Sequence, residues 1–319
     1  MLSRFCRYIE KVYDFIEKIR LLKDSRLEPQ ILVGSIWLSV VFMFAMRKGS
    51  LNAIETELRI PKRMEKLVGK RKPKADIIGD VFALTETEPI RLILSQINYK
   101  VKRNKALKGK KPIIFVAVDG HELFSSRSRC CDKCQTRTIT EKDRTVTEYY
   151  HRIVTCHLVG FELALPLDAE SVLPGEGEVI AAKRLVERVV KNYPRYFDAI
   201  VADGLYFEAP FINLCQQNHK GVMVVVKSDR RILMQDAMGI IKNMEPEMLK
   251  RGNLDVKIWD TEGFNSCEGV KTPMRVIYAE ETKQARKRKG TEWVTETENH
   301  TWCWATDISK TQLPTIHAW

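Results

Sequence analysis

The sequence predicts an α/β protein in which a mixed sheet of the order β-β-β-α-β-α-β carries a β-rich insertion and follows an all-helical N-terminal domain. Three observations carry this prediction. Apolar residues recur at helical spacing through the first hundred or so positions. From residue 112 onward, apolar runs of strand length take over. Two of those runs, Lys111-Pro-Ile-Ile-Phe-Val-Ala-Val-Asp119-Gly120 and Phe197-Asp-Ala-Ile-Val-Ala-Asp203-Gly204, end in the same Asp-Gly pair. At 319 residues the chain has room for two or three domains. The expected boundaries are 1–110 for the basic helical domain, 111–228 for the core, 229–306 for the insertion and 307–319 for the start of a last core helix.

In the N-terminal part, Phe5, Ile9, Val12, Tyr13, Phe15, Ile16, Ile19 and Leu22 mark one face of an amphipathic helix. Residues 31–46 form an apolar run that is short for a membrane span of about 20 residues and reads as a buried helix. Ser50 or Asn52 can cap the short helix that follows, Gly69 to Lys74 is a basic loop, and helical spacing resumes from Asp76 to Ile97. The net charge of +12 is concentrated here, since residues 47–111 hold 18 Lys/Arg against 7 Asp/Glu. Lys62, Arg63, Lys66, Lys70, Arg71, Lys72, Lys74, Lys102, Arg103 and Lys105 are therefore candidate contacts to DNA phosphates. The competing reading is a set of solvated helix faces and a linker.

The run ending at Asp119 is long enough for a buried strand, with Pro112 limiting its start. A polar, Cys-containing loop follows, then strand-like Val146–Leu158 and Phe161–Leu167. Val179, Ala182, Leu185, Val186, Val189 and Val190 share one face of a helix that Asn192-Tyr193-Pro194 stops. After the second Asp-ended strand come a helix over 208–218, with Pro210 in its first turn, and the apolar strand Gly221–Lys227. Leu254–Glu281 and Trp293–Ala305 alternate as strands, and the basic tract Lys283–Gly290 reads as the loop between them. Trp302 and Trp304 share one strand face and read as core packing.

An Asp at the end of a buried strand reaches the sheet edge, where open α/β sheets place ligands. Two such aspartates, Asp119 and Asp203, suggest a divalent metal site. Two carboxylates close together repel, and a hard cation such as Mg²⁺ or Mn²⁺ removes that cost. Either Asp-Gly taken alone reads more readily as a simple turn, and it is the pair that points to a site.

On these residues the chain resembles bacterial insertion-sequence transposases of the DDE class, whose catalytic domain is ribonuclease H-like. The resemblance covers residues 112 to about 316, including the insertion and the phrase Trp304-Ala-Thr-Asp307, and is looser over 1–111. It implies Asp119 and Asp203 as catalytic, Mg²⁺- or Mn²⁺-binding residues for DNA strand cleavage and strand transfer at element ends. It implies DNA as partner, a homodimer on DNA and a bacterial, nucleoid-associated location. The third acid of that class is a Glu on a helix after the insertion, but no acidic residue follows Asp307. A C-terminally truncated, inactive chain is the expectation. Asp307 itself reads as the cap of a following helix rather than as the missing ligand, and Glu296 and Glu298 are weaker candidates. The alternatives are a non-catalytic DNA-binding remnant and a related metal-dependent nuclease.

The eight cysteines form no disulfide framework, and the N-terminus lacks the uninterrupted apolar stretch of a signal peptide, so a cytoplasmic, reducing location without membrane insertion is expected. Cys131-Asp-Lys-Cys134 has the spacing of a zinc knuckle. His121, Cys131, Cys134 and His151 are the candidate zinc ligands, against the reading of unliganded thiols.

Overall fold

The computed structural model describes residues 2–60, 64–109, 111–141, 144–227, 231–290 and 292–315. The chain divides into two units, Met1–Leu107 and Lys108–Trp319.

The described elements of the first unit are helices: α1 (Leu2–Tyr13), α2 (Phe15–Arg20), α3 (Val33–Ala45), α4 (Leu51–Leu58), α5 (Glu65–Val68), α6 (Ala75–Leu84) and α7 (Thr87–Arg103). The single helix expected over residues 5–22 is two, because Asp14 takes a left-handed conformation with φ of 51°. Its carboxylate pairs with Lys18 and Lys100, which ties the break to α7. An Asp tolerates this backbone better than most residues, since its short polar side chain bonds locally. The apolar run becomes α3, packed against α2, α4, α5 and α6, with Ile36 and Phe42 fully buried. No helix among the described residues is long and apolar enough to cross a membrane. Ser50 caps α4 by accepting the Ala53 amide at 3.2 Å, which satisfies one of the orphan donors of the first turn.

The second unit is mixed α/β. Its elements are β1 (Phe115–Ser126), β2 (Gln135–Glu141), β3 (Arg144–Leu158), β4 (Leu165–Ser171), α8 (Glu178–Asn192), β5 (Ala199–Ala202), α9 (Ala209–Gln217), β6 (Gly221–Val225), α10 (Ile232–Ile241), β7 (Glu247–Arg251), β8 (Leu254–Phe264), β9 (Met274–Lys289) and β10 (Glu292–Thr306). Among the described residues the ten strands form one mixed sheet in the order β2-β3-β1-β5-β6-β10-β9-β8-β7, with β4 also paired to β3. β1, β5 and β6 are parallel to one another, and the remaining pairings are antiparallel. Helix α8 lies on β3 and β4 and buries Ala181, Ala182, Leu185, Val186 and Val189, while α9 lies on β6.

Several elements differ from expectation, and the strand expected from Phe161 begins only at Leu165, as β4. The Cys-containing loop holds a strand, β2, whose Thr-Arg-Thr-Ile-Thr pattern is polar enough for an edge and β-branched enough to pair with β3. The insertion opens with a helix, α10, that buries Leu233, Ala237 and Ile241. The basic tract over 283–289 is not a loop. It continues β9, paired with β10 from Glu292↔Lys289 to Thr306↔Arg275, while β8 stops at Leu254↔Lys283. Beyond that point β9 and β10 run on as a two-stranded ribbon. Residues 316–319, where the last core helix was expected to continue, lie outside the described residues.

Candidate metal and nucleic-acid site

The parallel ladder between β1 and β5 runs from Phe115↔Ala199 to Val118↔Ala202. Asp119 and Asp203 are the next residues on the two strands. Parallel strands lie about 4.8 Å apart, so the register makes the two aspartates neighbours. Asp119 is not at the end of its strand, as the apolar run suggested. β1 continues through residues 120–126, paired with β3, and it is β5 that stops. The opening is made by the end of β5, and both residues line a cleft of about 410 Å³ with Ala117, Val201, Met223, Val225 and Trp304.

The two carboxylates have different surroundings. Asp203 Oδ1 accepts the Leu205 amide at 2.8 Å, which starts the 3-10 turn Gly204–Tyr206. Its Oδ2 accepts Lys227 Nζ at 2.6 Å. That hydrogen bond, with the Asp203 charge and more distantly the Asp119 charge, holds the Lys227 ammonium above the usual lysine range. Asp119 is exposed, and its carboxylate accepts no hydrogen bond from the described residues.

Behind Asp119, on the other pleat of β1, the glycine of the first Asp-Gly has a packing reason rather than a turn reason. A Cβ at Gly120 would lie 2.1 Å from the Glu178 carboxyl, and one at Gly204 would lie 2.8 Å from Lys227 Cγ. Glu178 is the first residue of α8, where the helix dipole favours an anion. It accepts the Tyr206 hydroxyl at 2.7 Å and faces Arg152 at 3.4 Å. Burial drives the Tyr206 hydroxyl far above the ordinary tyrosine range, with Glu178, Asp119 and Asp203 adding to it. Glu178, Tyr206 and Lys227 carry no sequence signal, because each meets the aspartates only through the fold.

The candidates for a third acid lie elsewhere. Val222 donates its amide to Asp307 Oδ1 at 2.8 Å, so Asp307 is not the helix cap expected. The β5–β6 register sets Asp203 level with Val225. Asp307 therefore lies about 10 Å away along the strands. Burial raises its carboxyl above the ordinary range. Glu298 pairs with Lys287 at 2.5 Å on the ribbon, and Glu296 faces Ala285 there, about 20 and 27 Å respectively along β10 from the cleft. Among the described residues, the lining of the cleft has Asp119 and Asp203 as its acids.

Trp304 lines this cleft half-buried, and Trp302 is 42% exposed beside it, the rings nearly parallel at 6.1 Å with 12° between planes. Trp304 packs against the buried cluster on this face of the sheet, as expected, while Trp302 leaves an exposed aromatic face beside it. On the ribbon, Arg286 lies over the Trp293 ring at 5.5 Å, and Trp293 is exposed.

The basic candidates fall in the first unit. Lys66 is exposed on α5, and Lys70, Arg71 and Lys74 are exposed in the loop leading to α6. Arg71 donates to Gln30 at 3.0 Å and Lys72 to the Ile60 carbonyl at 3.5 Å. Lys102 and Arg103 end α7, where cations also complement the helix dipole, and Lys105 follows with φ of 56°. Lys62 and Arg63 lie outside the described residues.

Of the four candidate zinc ligands, three come together. Cys131 Sγ and Cys134 Sγ are each 3.3 Å from His151 Nε2 and 3.7 Å from each other. His121 is not part of the group. It pairs across from Ile153, whereas His151 lies opposite Phe124, past a register shift between Glu122 and Phe124 that separates the two histidines. No family model matches the sequence, and no curated protein matches it.

Proposed function

We propose that this chain is a DNA-acting protein of the DDE transposase type, with a ribonuclease H-like core in which Asp119 and Asp203 bind a divalent cation. The observation that carries the reading is their position: each follows the last rung of one parallel ladder, and both line one cleft. The order β1, β3, β4, α8, β5, α9, β6 supports the core, with β2 as an added strand in the first meander. The half-open Trp302–Trp304 surface offers a stacking platform for bases, and the exposed cations of residues 66–74 offer phosphate contacts.

The donor set fits a hard cation in part. Asp119 is free to ligate, and Asp203 is free once Lys227 moves aside. A cation such as Mg²⁺ or Mn²⁺, when bound, would supply phosphate neutralisation and water activation. The chain's own contribution is to set two aspartates side by side at the end of one parallel ladder and to brace the strands behind them through Arg152, Glu178 and Tyr206. One observation favours the non-catalytic alternative. Both Asp203 oxygens already have protein donors, and a two-acid site holds metal weakly.

The test is cleavage of supercoiled plasmid by the full chain in Mn²⁺, with Asp119→Asn and Asp203→Asn as comparisons. Mn²⁺-dependent nicking lost in both variants supports the enzyme. Binding to DNA without nicking supports the remnant. Nicking that survives in both variants, or no DNA binding at all, contradicts the proposal.

A further inference from the structure

We infer that Cys131, Cys134 and His151 form a zinc site that pins the turn between β1 and β2, with the adjacent thiol of Cys130 as fourth ligand. The inference is independent of the reading of Asp119 and Asp203.

The spacing of the donor atoms carries it. Zinc binds sulfur at about 2.3 Å and imidazole nitrogen at about 2.0 to 2.1 Å in a tetrahedron. Those lengths place two sulfurs about 3.8 Å apart and a sulfur and a nitrogen about 3.6 Å apart. The observed separations are 3.7 Å between the sulfurs and 3.3 Å from each to Nε2. A disulfide needs about 2.05 Å, so the pair is poised for a shared ion and not for a bond.

The backbone around the cysteines is built to match. The Cys134 amide donates to the Cys131 carbonyl at 3.0 Å and closes a tight turn. The Cys131 amide donates to Cys134 Sγ at 3.2 Å, which fixes where that sulfur points. His151 is supplied by β3, its ring against Phe124 at 5.3 Å. The register shift beside Phe124 is the kind of bulge that re-aims side chains.

Apart from the Ser126 hydroxyl, which accepts the Ser128 and Arg129 amides, and the Arg127–Glu141 pair, the turn has no apolar packing among the described residues to hold it. Residues 127–133 are exposed, and Cys134 alone among 127–134 is buried. A cross-link from Cys131 and Cys134 to His151 replaces the apolar core that this segment lacks. Three protein ligands leave one tetrahedral position, and Cys130 is an exposed thiol one residue from Cys131.

The experiment is metal analysis of the full chain purified without chelator, followed by replacement with Co²⁺. The expected result is about one zinc per chain, released by chelation, and a Co²⁺ form with the intense visible bands of tetrahedral geometry. Cys131→Ser and Cys134→Ser should lose the metal, and Cys215→Ser, a buried thiol on α9, should keep it. Should the ligand variants fail to fold, chelation of the native protein still decides the matter, by faster hydrogen exchange over residues 127–141. Cys130→Ser should lower the sulfur-to-cobalt charge-transfer band by about a third. A chain without zinc that takes up no Co²⁺, or metal retained in both Cys131→Ser and Cys134→Ser, overturns the site. A band unchanged by Cys130→Ser overturns the fourth ligand.

Discussion

At Asp203 two donors compete with any cation for one carboxylate. The Leu205 amide belongs to the backbone and stays, whereas Lys227 is a long, 63% exposed side chain that can leave. Lys227→Met should therefore tighten Mn²⁺ binding, by about two- to fivefold given the modest worth of exposed ion pairs. A titration of Mn²⁺ into both proteins reads this directly, and weaker binding by the variant would assign Lys227 a supporting role instead. Gly120 makes the complementary point about space. The carboxyl of Glu178 lies where a Cβ at position 120 would sit, so any side chain there must displace it from Tyr206 and Arg152.

Among elements, the insertion is anchored by a buried ion pair. Arg275 on β9 donates to both Asp260 oxygens on β8, at 2.9 and 2.6 Å, and to the carbonyls of Ile308 and Leu313 at 3.1 and 2.8 Å. Burial pushes the Asp260 carboxyl up. The Arg275 fork, the Thr315 hydroxyl and the Lys310 charge outweigh it and hold the group below the ordinary range. A depressed carboxyl contributes stability that is present above its unfolded value and lost as pH falls through the folded one. Asp260→Ala should cost about 3 to 5 kcal/mol near neutral pH, because it strands a buried guanidinium. In urea melts the gap to wild type should narrow below about pH 4; a gap independent of pH would contradict the assignment. Much of this element layout is legible in the sequence. The apolar runs mark β1, β5 and β6, and Asn192-Tyr193-Pro194 ends α8. The misses have physical causes. β2 is polar on both faces, so alternation did not mark it. The break at Asp14 depends on Lys100, far along the chain. His121 and His151 look equivalent until the shift in β1–β3 pairing separates them. The placement of Asp119 and Asp203 was legible because each ends an apolar run; that of Glu178, Tyr206 and Lys227 beside them was not, because only the fold brings them near.

Across the whole molecule, chemistry and charge are divided. The second unit holds the two aspartates, the paired tryptophans and the thiol cluster, while residues 47–107 of the first unit hold 15 Lys/Arg against 7 Asp/Glu. A protein that brings a divalent cation to DNA needs both, one part to concentrate phosphate and one to hold the ion. The central claim is that Asp119 and Asp203 hold one cation jointly. It is tested most directly by Mn²⁺ titration, followed by electron paramagnetic resonance, of the full chain and of Asp119→Asn and Asp203→Asn, each in the presence of DNA. The account predicts a bound Mn²⁺ population in the parent chain that is lost by at least tenfold in affinity in both variants. Equal Mn²⁺ affinity in all three proteins would contradict it.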